Sequence, residues 1–587
     1  MKKKLFVLFC LVASCAIIVS LSECNNNQTV SGVAGNSTYS YVHLPQDVFP
    51  ACTVQPDTFN TWFKSGKATE NGLVTPANSV TFGHHNNCDF YQWSERMFLW
   101  LTSPNSGQYG MGGTVMESPV FYTVAPDSAG GLKLIKHVPG GVISAVSSLE
   151  KNGPNRLPVF TDKNGRLFEV QFHKPGEKVL VKNQSGKTIE LGLVEKGANG
   201  LAVLKDKTGK AIEKPKFVSG FTSPENIVHA FTTGKGEIFV DANGNILTDV
   251  GQATQDALMS QTGSLVYYIT MVNDMYAYFL SSAKNGYMSR DKFPTTASAR
   301  DSILAWARKK GYNPPPDSNT LAIEIKTSWI NAENLTNQSS FVTMDAMIPT
   351  YDTSSKTQWI PNGQKKVKLA LVGIHIVGSV AGHPEMIWAT FEHASNTPNA
   401  AYQYIDNKSK EQTVAADTGN WLFASAADTN FNISHMKVSK TGDTISAKGS
   451  FTISASSTQM KFPFGTAINT LPNQEDTSAA ASNSEVISIN NSIMSMLTGK
   501  DVRKNYLFIG ATWTFGGAPP NGKVYHIDPT PGSAIGTSLL ANSTMETYFQ
   551  VNSFTCFTCH SKRKPTLDPD SISHIFSKIR PVIPMQQ

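Results

Sequence analysis

The spacing of apolar residues predicts a chain that is built mainly from β-strands, with a few helices among them. Between residues 88 and 101, apolar side chains recur every three or four positions, and Asp89 stands where it can cap the first turn. This spacing is typical of a buried helix. A second helix is predicted over residues 296–310, because basic side chains fill its last turn and Gly311 follows as a stop.

Short runs rich in β-branched and aromatic residues predict strands in the second half of the chain. These runs lie at residues 321–329, 368–377, 386–393, 444–453 and 506–513. Gly and Pro in residues 378–384 predict a turn that joins the second and third runs into a hairpin. Residues 470–484 contain few large apolar side chains, so we expect an exposed loop there.

Residues 141–250 show a different pattern, in which short β-like runs alternate with polar tetrads that end in glycine. The tetrads are residues 162–165, 183–186, 206–209 and 241–244. Glycine accepts the positive φ that tight hairpin turns require. Calcium loops also use Asp and Asn near glycine, but the alternating oxygen ligands and terminal Glu of an EF-hand loop are absent from these tetrads. We therefore predict a turn-rich β insertion.

These patterns together predict an α+β fold that is predominantly β, with a large β-rich body and a short helical C-terminal segment. A chain of 587 residues is long enough for more than one domain. We divide it into a signal peptide, a tether, an N-terminal region with a helix, the insertion, the body and a C-terminal segment. Their bounds are residues 1–23, 24–50, 51–140, 141–250, 251–540 and 541–587.

The first residues predict export to the periplasm. Three lysines, at positions 2 to 4, precede an apolar run over residues 5–21, which is the layout of a secretory signal. The alternative is an uncleaved membrane anchor, for which the run is short. Residues 21–24 resemble a lipoprotein box in which Glu23 fits poorly, so Cys24 is a candidate lipidation site that would tether the protein to a membrane. The polar tract after Cys24 suits a flexible tether.

The charge balance argues against a nucleic-acid partner. The formal net charge is +6, and the signal peptide accounts for +2 of it, which leaves +4 on the rest of the chain. This is nearly neutral for the size. No run of Lys and Arg is interleaved with aromatic residues in the way that nucleic-acid surfaces require.

Four of the seven cysteines follow Cys24, and they form two pairs in the sequence. In an oxidising compartment Cys52 and Cys88 are expected to form a disulfide. Its loop of about 36 residues would stabilise the fold by roughly 3–4 kcal/mol. Two buried thiols at these positions are the alternative.

The second pair belongs to a Cys-x-x-Cys-His motif at Cys556, Cys559 and His560. In this motif the two thiols form thioether bonds to haem vinyl groups, and the adjacent His supplies the proximal nitrogen to the iron. A zinc site or a redox cysteine pair is the alternative. The chain has no second Cys pair for zinc, and no thioredoxin-like pattern precedes the motif. We therefore predict one covalent haem c.

The second axial ligand of this haem cannot be assigned from spacing. Only 27 residues follow His560, which is too little chain for a separate cytochrome domain, so the haem must lean on the larger body. Met585 and His574 are local candidates, and Met545 is a third. The ligand can also come from a distant part of the chain, or the iron position can stay open.

Several further stretches resemble a group of bacterial proteins that are usually described only as cytochrome c family proteins. The stretches are MSQ at 259–261, GSLVYY at 263–268, IEIK at 323–326 with Trp329, GIHIVG at 373–378, WATFEH at 388–393 and LANSTMETYFQ at 540–550. The resemblance covers roughly residues 250–560. It implies covalent haem and residence outside the cytoplasm, and it implies no particular reaction.

The predicted hairpin also carries His375, Glu392 and His393, which invites a catalytic interpretation. Strand alternation argues against it, because it places Glu392 on one face of the hairpin and His393 on the other. We expect a packed hairpin with hydrogen-bonded histidines.

Three functional hypotheses follow from the haem motif. In the first, the protein is a periplasmic electron-transfer protein that meets a redox partner protein. In the second, it is a haem-dependent oxidoreductase of the peroxidase type, whose large body surrounds an open iron position and a small-molecule substrate. In the third, it is a surface lipoprotein in which haem is a sensor or a structural element.

Overall fold

The computed structural model describes residues 39–581, apart from short gaps. The gaps are residues 78, 111, 127–131, 139–140, 145–158, 162–166, 174–177, 198–201, 219–226, 234–235, 242–250, 253–255, 291–292, 318, 439–443, 466–477, 524–529, 551–554, 562–571, 574, 577–578 and 580. The predicted signal peptide, the first part of the tether, Cys24, His574 and Met585 therefore lie outside the described residues. All the described residues belong to one compact unit, residues 37–587.

The fold is α+β and predominantly β, as predicted. The helices of the described residues are α1 (Pro56–Trp62), α2 (Asn87–Leu101), α3 (Asp274–Lys284), α4 (Ala297–Lys309), α5 (Ala479–Met496) and α6 (Cys556–Cys559). Both predicted helices are confirmed as α2 and α4. The N-cap of α2 is Asn86 and not Asp89. Asp89 is the third residue of the helix, and its carboxylate accepts from the backbone N–H of Asn86 to complete a capping box.

The strands fall into three successive groups. The separate sheets of the insertion are formed by residues 159–252 and not by the predicted 141–250. Before them lie β1 (Phe121–Pro126), β2 (Leu132–Lys136) and β3 (Ile143–Ser144). The insertion contains β4 (Val159–Thr161), β5 (Leu167–His173), β6 (Leu180–Lys182), β7 (Thr188–Lys196), β8 (Ala202–Asp206), β9 (Lys216–Phe217), β10 (Ile227–Thr233), β11 (Gly236–Asp241) and β12 (Gly251–Gln252). The body contains β13 (Asp256–Ala257), β14 (Tyr267–Asn273), β15 (Ile323–Asn331), β16 (Thr343–Asp352), β17 (Gln358–Val380), β18 (His383–His393), β19 (Tyr402–Ile405), β20 (Glu411–Val414), β21 (Met436–Val438), β22 (Ile445–Ala447), β23 (Tyr506–Thr514) and β24 (Ala534–Gly536).

One large sheet organises the body, and its longest strand, β17, lies near the centre. The strand order through this region is β2-β1-β14-β15-β17-β18-β23-β24, with antiparallel pairing throughout. The predicted hairpin is confirmed as β17 and β18. The strand predicted at 444–453 is shorter than expected, because only β22 within it pairs with neighbours.

The two faces of this sheet bury different sets of residues, as the alternation of side chains along a strand requires. Ile374 and Ile376 of β17 point into the largest apolar cluster, which includes the buried face of α2 and residues of α5. Val377 of β17 and Trp388 of β18 point the other way, into a second cluster with α3, α4 and the C-terminal segment. The C-terminal segment is therefore part of the cover over this second face.

The insertion builds its own sheets around a separate small core. Strands β4, β5, β10, β11 and β12 form one sheet, and β6 to β9 form another. The tetrad 183–186 joins β6 to β7 as a hairpin turn with Gly186 at φ 78°, as predicted. The tetrad 206–209 likewise ends in a glycine with positive φ. The other two turn predictions fall outside the described residues. Residues 162–165 lie in the gap between the paired strands β4 and β5, and residues 242–244 of the last tetrad lie in the gap that follows β11.

The prediction of an exposed loop at 470–484 was wrong for its described part. Ser478 caps α5, and residues 480–490 of this helix are buried. Small side chains let the helix pack closely, and the hydroxyl of Ser484 donates to the carbonyl of Ala480 at 2.8 Å, which satisfies it inside the helix. Residues 540–550, which precede the Cys-x-x-Cys-His motif, contain a single 3-10 turn, Thr547–Phe549.

Candidate cofactor site

The Cys-x-x-Cys-His motif lies on the short helix α6, whose first turn is fixed by threonines. Thr555 is the N-cap, and its backbone N–H donates to the Thr558 hydroxyl at 3.0 Å in a reciprocal capping arrangement. Residues three apart in a helix share a face, so Cys556 and Cys559 lie on the same side of this turn. They are thiols and do not form a disulfide with each other.

His560 follows the helix and is oriented by a backbone carbonyl. Its Nδ1 lies 3.1 Å from the carbonyl oxygen of Ile572. A carbonyl oxygen only accepts, so Nδ1 carries the proton and Nε2 carries the lone pair. Histidines that bind metals are commonly held in this way, with the other ring nitrogen donating to a carbonyl or carboxylate.

The motif docks on strand β18 through aromatic contacts. The rings of Trp388 and His560 have centroids 4.3 Å apart, and Phe557 lies edge-on to Trp388 at 5.7 Å. Phe557 is fully buried, whereas Cys556 and His560 are partly exposed. Trp388 therefore fixes the position of the motif on the sheet.

A buried carboxyl group supports the segment that orients His560. The hydroxyl of Ser573, next to Ile572, donates to Glu324 of β15 at 2.7 Å. Burial raises the pKa of Glu324 to about 7. Four apolar residues of this segment are buried: Ile572, Ile575, Phe576 and Ile579. The Ile572 carbonyl is thus held by packing as well as by the Ser573 hydrogen bond.

The segment just before the motif covers the far end of the same sheet face. Glu392 of β18 accepts hydrogen bonds from the backbone and the hydroxyl of Ser543. Burial raises the pKa of Glu392 to about 7. Asn542 donates to the hydroxyl of Thr390 at 2.9 Å. The cover over this face is therefore held by polar contacts at this end and by Trp388 at the other.

The two histidines of the hairpin lie on opposite faces, as strand alternation predicts. His393 is buried against Phe341, with ring centroids 3.8 Å apart, and burial lowers its pKa to about 3. His375 lies on the face that carries the motif, where its Nε2 is 3.0 Å from Glu546. The expected packed hairpin with hydrogen-bonded histidines is confirmed for both residues.

Glu546 also links His375 electrostatically to the haem motif. Desolvation raises the pKa of the Cys556 thiol far above its usual range, and the negative charge of Glu546 raises it further. Met545 is fully buried in a different apolar cluster, with Leu422 and Phe423. This packing argues against Met545 as an axial ligand.

The disulfide prediction is confirmed. Cys52 and Cys88 are bonded, with Cα atoms 5.3 Å apart. Because Cys88 lies in the first turn of α2, the bond fixes the N-terminal segment to this helix. The disulfide is remote in sequence from the motif.

The residues around α6 fit a covalent haem in their donor chemistry. They provide two thiols for thioether bonds and a histidine whose lone-pair nitrogen is Nε2. Among the described residues no cluster of three or more His, Cys, Asp or Glu side chains is arranged to hold a metal ion. None of the helices that the structure describes has the length and hydropathy of a membrane span.

No protein-family model, curated protein or solved structure matches the chain. The resemblance to cytochrome c family proteins therefore stays a prediction. Sequence reasoning missed Glu324, Trp388 and Glu546 as parts of the site. Glu324 and Trp388 lie in predicted strands, but no local pattern indicates that either contacts the C-terminal segment.

Proposed function

We propose that the protein is an exported c-type cytochrome that carries one haem on Cys556, Cys559 and His560 and transfers electrons in the periplasm. The observation that carries the proposal is the orientation of His560 by the Ile572 carbonyl, directly beside two thiols on one helical turn. A bound haem supplies a one-electron iron couple. The protein's own residues attach it, orient its ligand and limit its contact with water.

Each residue of the site has a separate task in this proposal. Cys556 and Cys559 provide the thioether sulfurs, and His560 provides Nε2. The Ile572 carbonyl keeps the His560 proton on Nδ1. Trp388 shields one side of the imidazole, while the partial exposure of Cys556 and His560 suits electron exchange with a redox partner protein at the surface.

The proposed location rests on the cysteines and on the N-terminal pattern. Disulfides such as Cys52–Cys88 persist in oxidising compartments, which supports a periplasmic site. The basic and apolar N-terminus supplies the export signal. Lipidation of Cys24 would hold the protein at a membrane through the polar tract that follows.

A pyridine haemochrome assay on denatured protein tests covalent attachment. The full chain is produced with a cytochrome c maturation system, beside a Cys556→Ser/Cys559→Ser variant and a Cys52→Ser/Cys88→Ser control. We expect a c-type spectrum with one haem per chain for the wild type and the control, and loss of covalent haem in the first variant. A wild type without covalent haem would contradict the proposal, as would retention of haem by the first variant.

A further inference from the structure

A row of partly exposed side chains crosses the sheet face beside the haem motif. Thr270 of β14, Lys326 of β15 and His375 of β17 are neighbours in the strand register. All three are partly exposed, whereas most residues of these strands are buried. This row is therefore less covered than most of the sheet face.

The row lies between the two segments that cover this face. On one side, Trp388 contacts the haem motif, and it pairs with Val377 of β17. On the other side, Gly373 pairs with Glu392, which holds Ser543. His375 lies between Gly373 and Val377 on the same face of β17. Its Cα is therefore about 7 Å from the Cα of each, the distance between alternate residues of a strand.

The side chain of His375 is oriented like a metal ligand. Both carboxylate oxygens of Glu546 lie near its Nε2, at 3.0 and 3.2 Å. With Nε2–H donating to the carboxylate, Nδ1 carries the lone pair. A carboxylate that orients an imidazole and raises its basicity is a common companion of ligating histidines.

Glu546 ties this imidazole to the haem motif from a second direction. It lies ten residues before Cys556 in the chain, and its charge acts on the Cys556 thiol. Two histidines on this side of the sheet thus each have one ring nitrogen held by an acceptor: His560 by Ile572 and His375 by Glu546.

We infer that His375 is the second axial ligand of the haem, bound through Nδ1, and that Glu546 is its positioning residue. The inference rests on the proposed haem attachment. It replaces Met585, His574 and Met545 with a ligand supplied from the body of the chain. Bis-histidine ligation gives a lower reduction potential than His/Met ligation.

Optical and electron paramagnetic resonance spectra of the haem-loaded protein test this ligand. We expect low-spin haem in the wild type, with no spectral change when carbon monoxide is added to the reduced form. In His375→Ala the low-spin signal should be lost, carbon monoxide should bind, and added imidazole should restore the low-spin spectrum. His375→Met, which keeps a bulky side chain and a ligand atom, should stay low-spin with a raised potential.

Two further variants make the result specific. His85→Ala, which removes an exposed histidine, should leave the spectra unchanged. Glu546→Gln should leave haem attachment intact and increase the high-spin fraction. A high-spin wild type, or a His375→Ala protein that stays low-spin and does not bind carbon monoxide, would overturn the ligand assignment. A wild type without a c-type band would instead overturn the proposed function, so the two failures are distinguishable.

Discussion

Glu392 shows how the sheet face accommodates a carboxyl group at its buried end. It is only 4% exposed, and burial raises its pKa from the ordinary 4.5 to about 7, with a further contribution from the charge of Glu546. Between pH 4.5 and about pH 7 the folded protein therefore keeps the Glu392 carboxyl protonated, whereas the unfolded chain releases the proton. Stability from this group is therefore complete below about pH 4.5 and is lost as the pH rises through about 7.

Glu392→Gln removes this titration while keeping the shape of the side chain. The amide oxygen can accept from the Ser543 backbone, and the amide nitrogen can donate to the Ser543 hydroxyl, while the 3.3 Å hydrogen bond from the Asn396 amide nitrogen is lost. Whatever its stability near pH 4.5, we expect the variant to gain up to about 3 kcal/mol relative to the wild type between pH 4.5 and pH 8. Urea unfolding at both pH values measures this. Equal pH dependence of the two proteins would contradict the assignment.

The residues of the site differ in how far the sequence reveals them. Cys556, Cys559 and His560 are adjacent in the chain, so their joint chemistry is readable as a motif. The partners of the site come from far away: Glu324 is 249 residues from Ser573, and His375 is 171 residues from Glu546. Such pairs depend on strand register, which no local pattern specifies.

At the scale of elements, helices α2 and α5 also differ in how far the sequence reveals them. The apolar spacing of α2 predicts it closely, because the buried face is formed by large side chains at helical intervals. The helix α5 was missed because its buried residues are mostly Ser, Asn and Ala. Their burial depends on close packing and on hydroxyl groups that donate to the helix backbone, and neither leaves an apolar period in the sequence.

The disulfide attaches the N-terminal segment to α2 and closes a loop with a sequence separation of 36. On the loop-entropy model, Cys52→Ser/Cys88→Ser should lower the free energy of unfolding by about 4 kcal/mol. Urea unfolding of both proteins under non-reducing conditions measures the difference, and adding a reductant to the wild type should reproduce it. An unchanged midpoint would show that the bond does not constrain the unfolded chain.

At the scale of the whole molecule, the insertion is structurally separable from the sheet on which the Cys-x-x-Cys-His motif docks. Its strands form their own sheets, and β4 pairs with β12, so the chain enters and leaves the insertion at neighbouring positions. Strands β3 and β13, on either side of it, pair with strands of the body. A short linker can therefore replace residues 159–252 without stretching the chain.

We expect the protein with this replacement to fold and to keep the optical spectrum of the full chain. Circular dichroism and the haem spectrum test it together, with a Gly186→Ser variant of the full chain as a milder change to the same region. A loss of the haem spectrum in the shortened but folded protein would show that the insertion contributes to the haem pocket.

The central claim is that this chain holds one covalent haem at Cys556 and Cys559. Mass spectrometry of the peptide that contains both cysteines tests it most directly, on protein matured in a cell that attaches c-type haem. We predict that this peptide gains the mass of one haem and that no other peptide does. An unmodified Cys556–Cys559 peptide from such cells would contradict the claim.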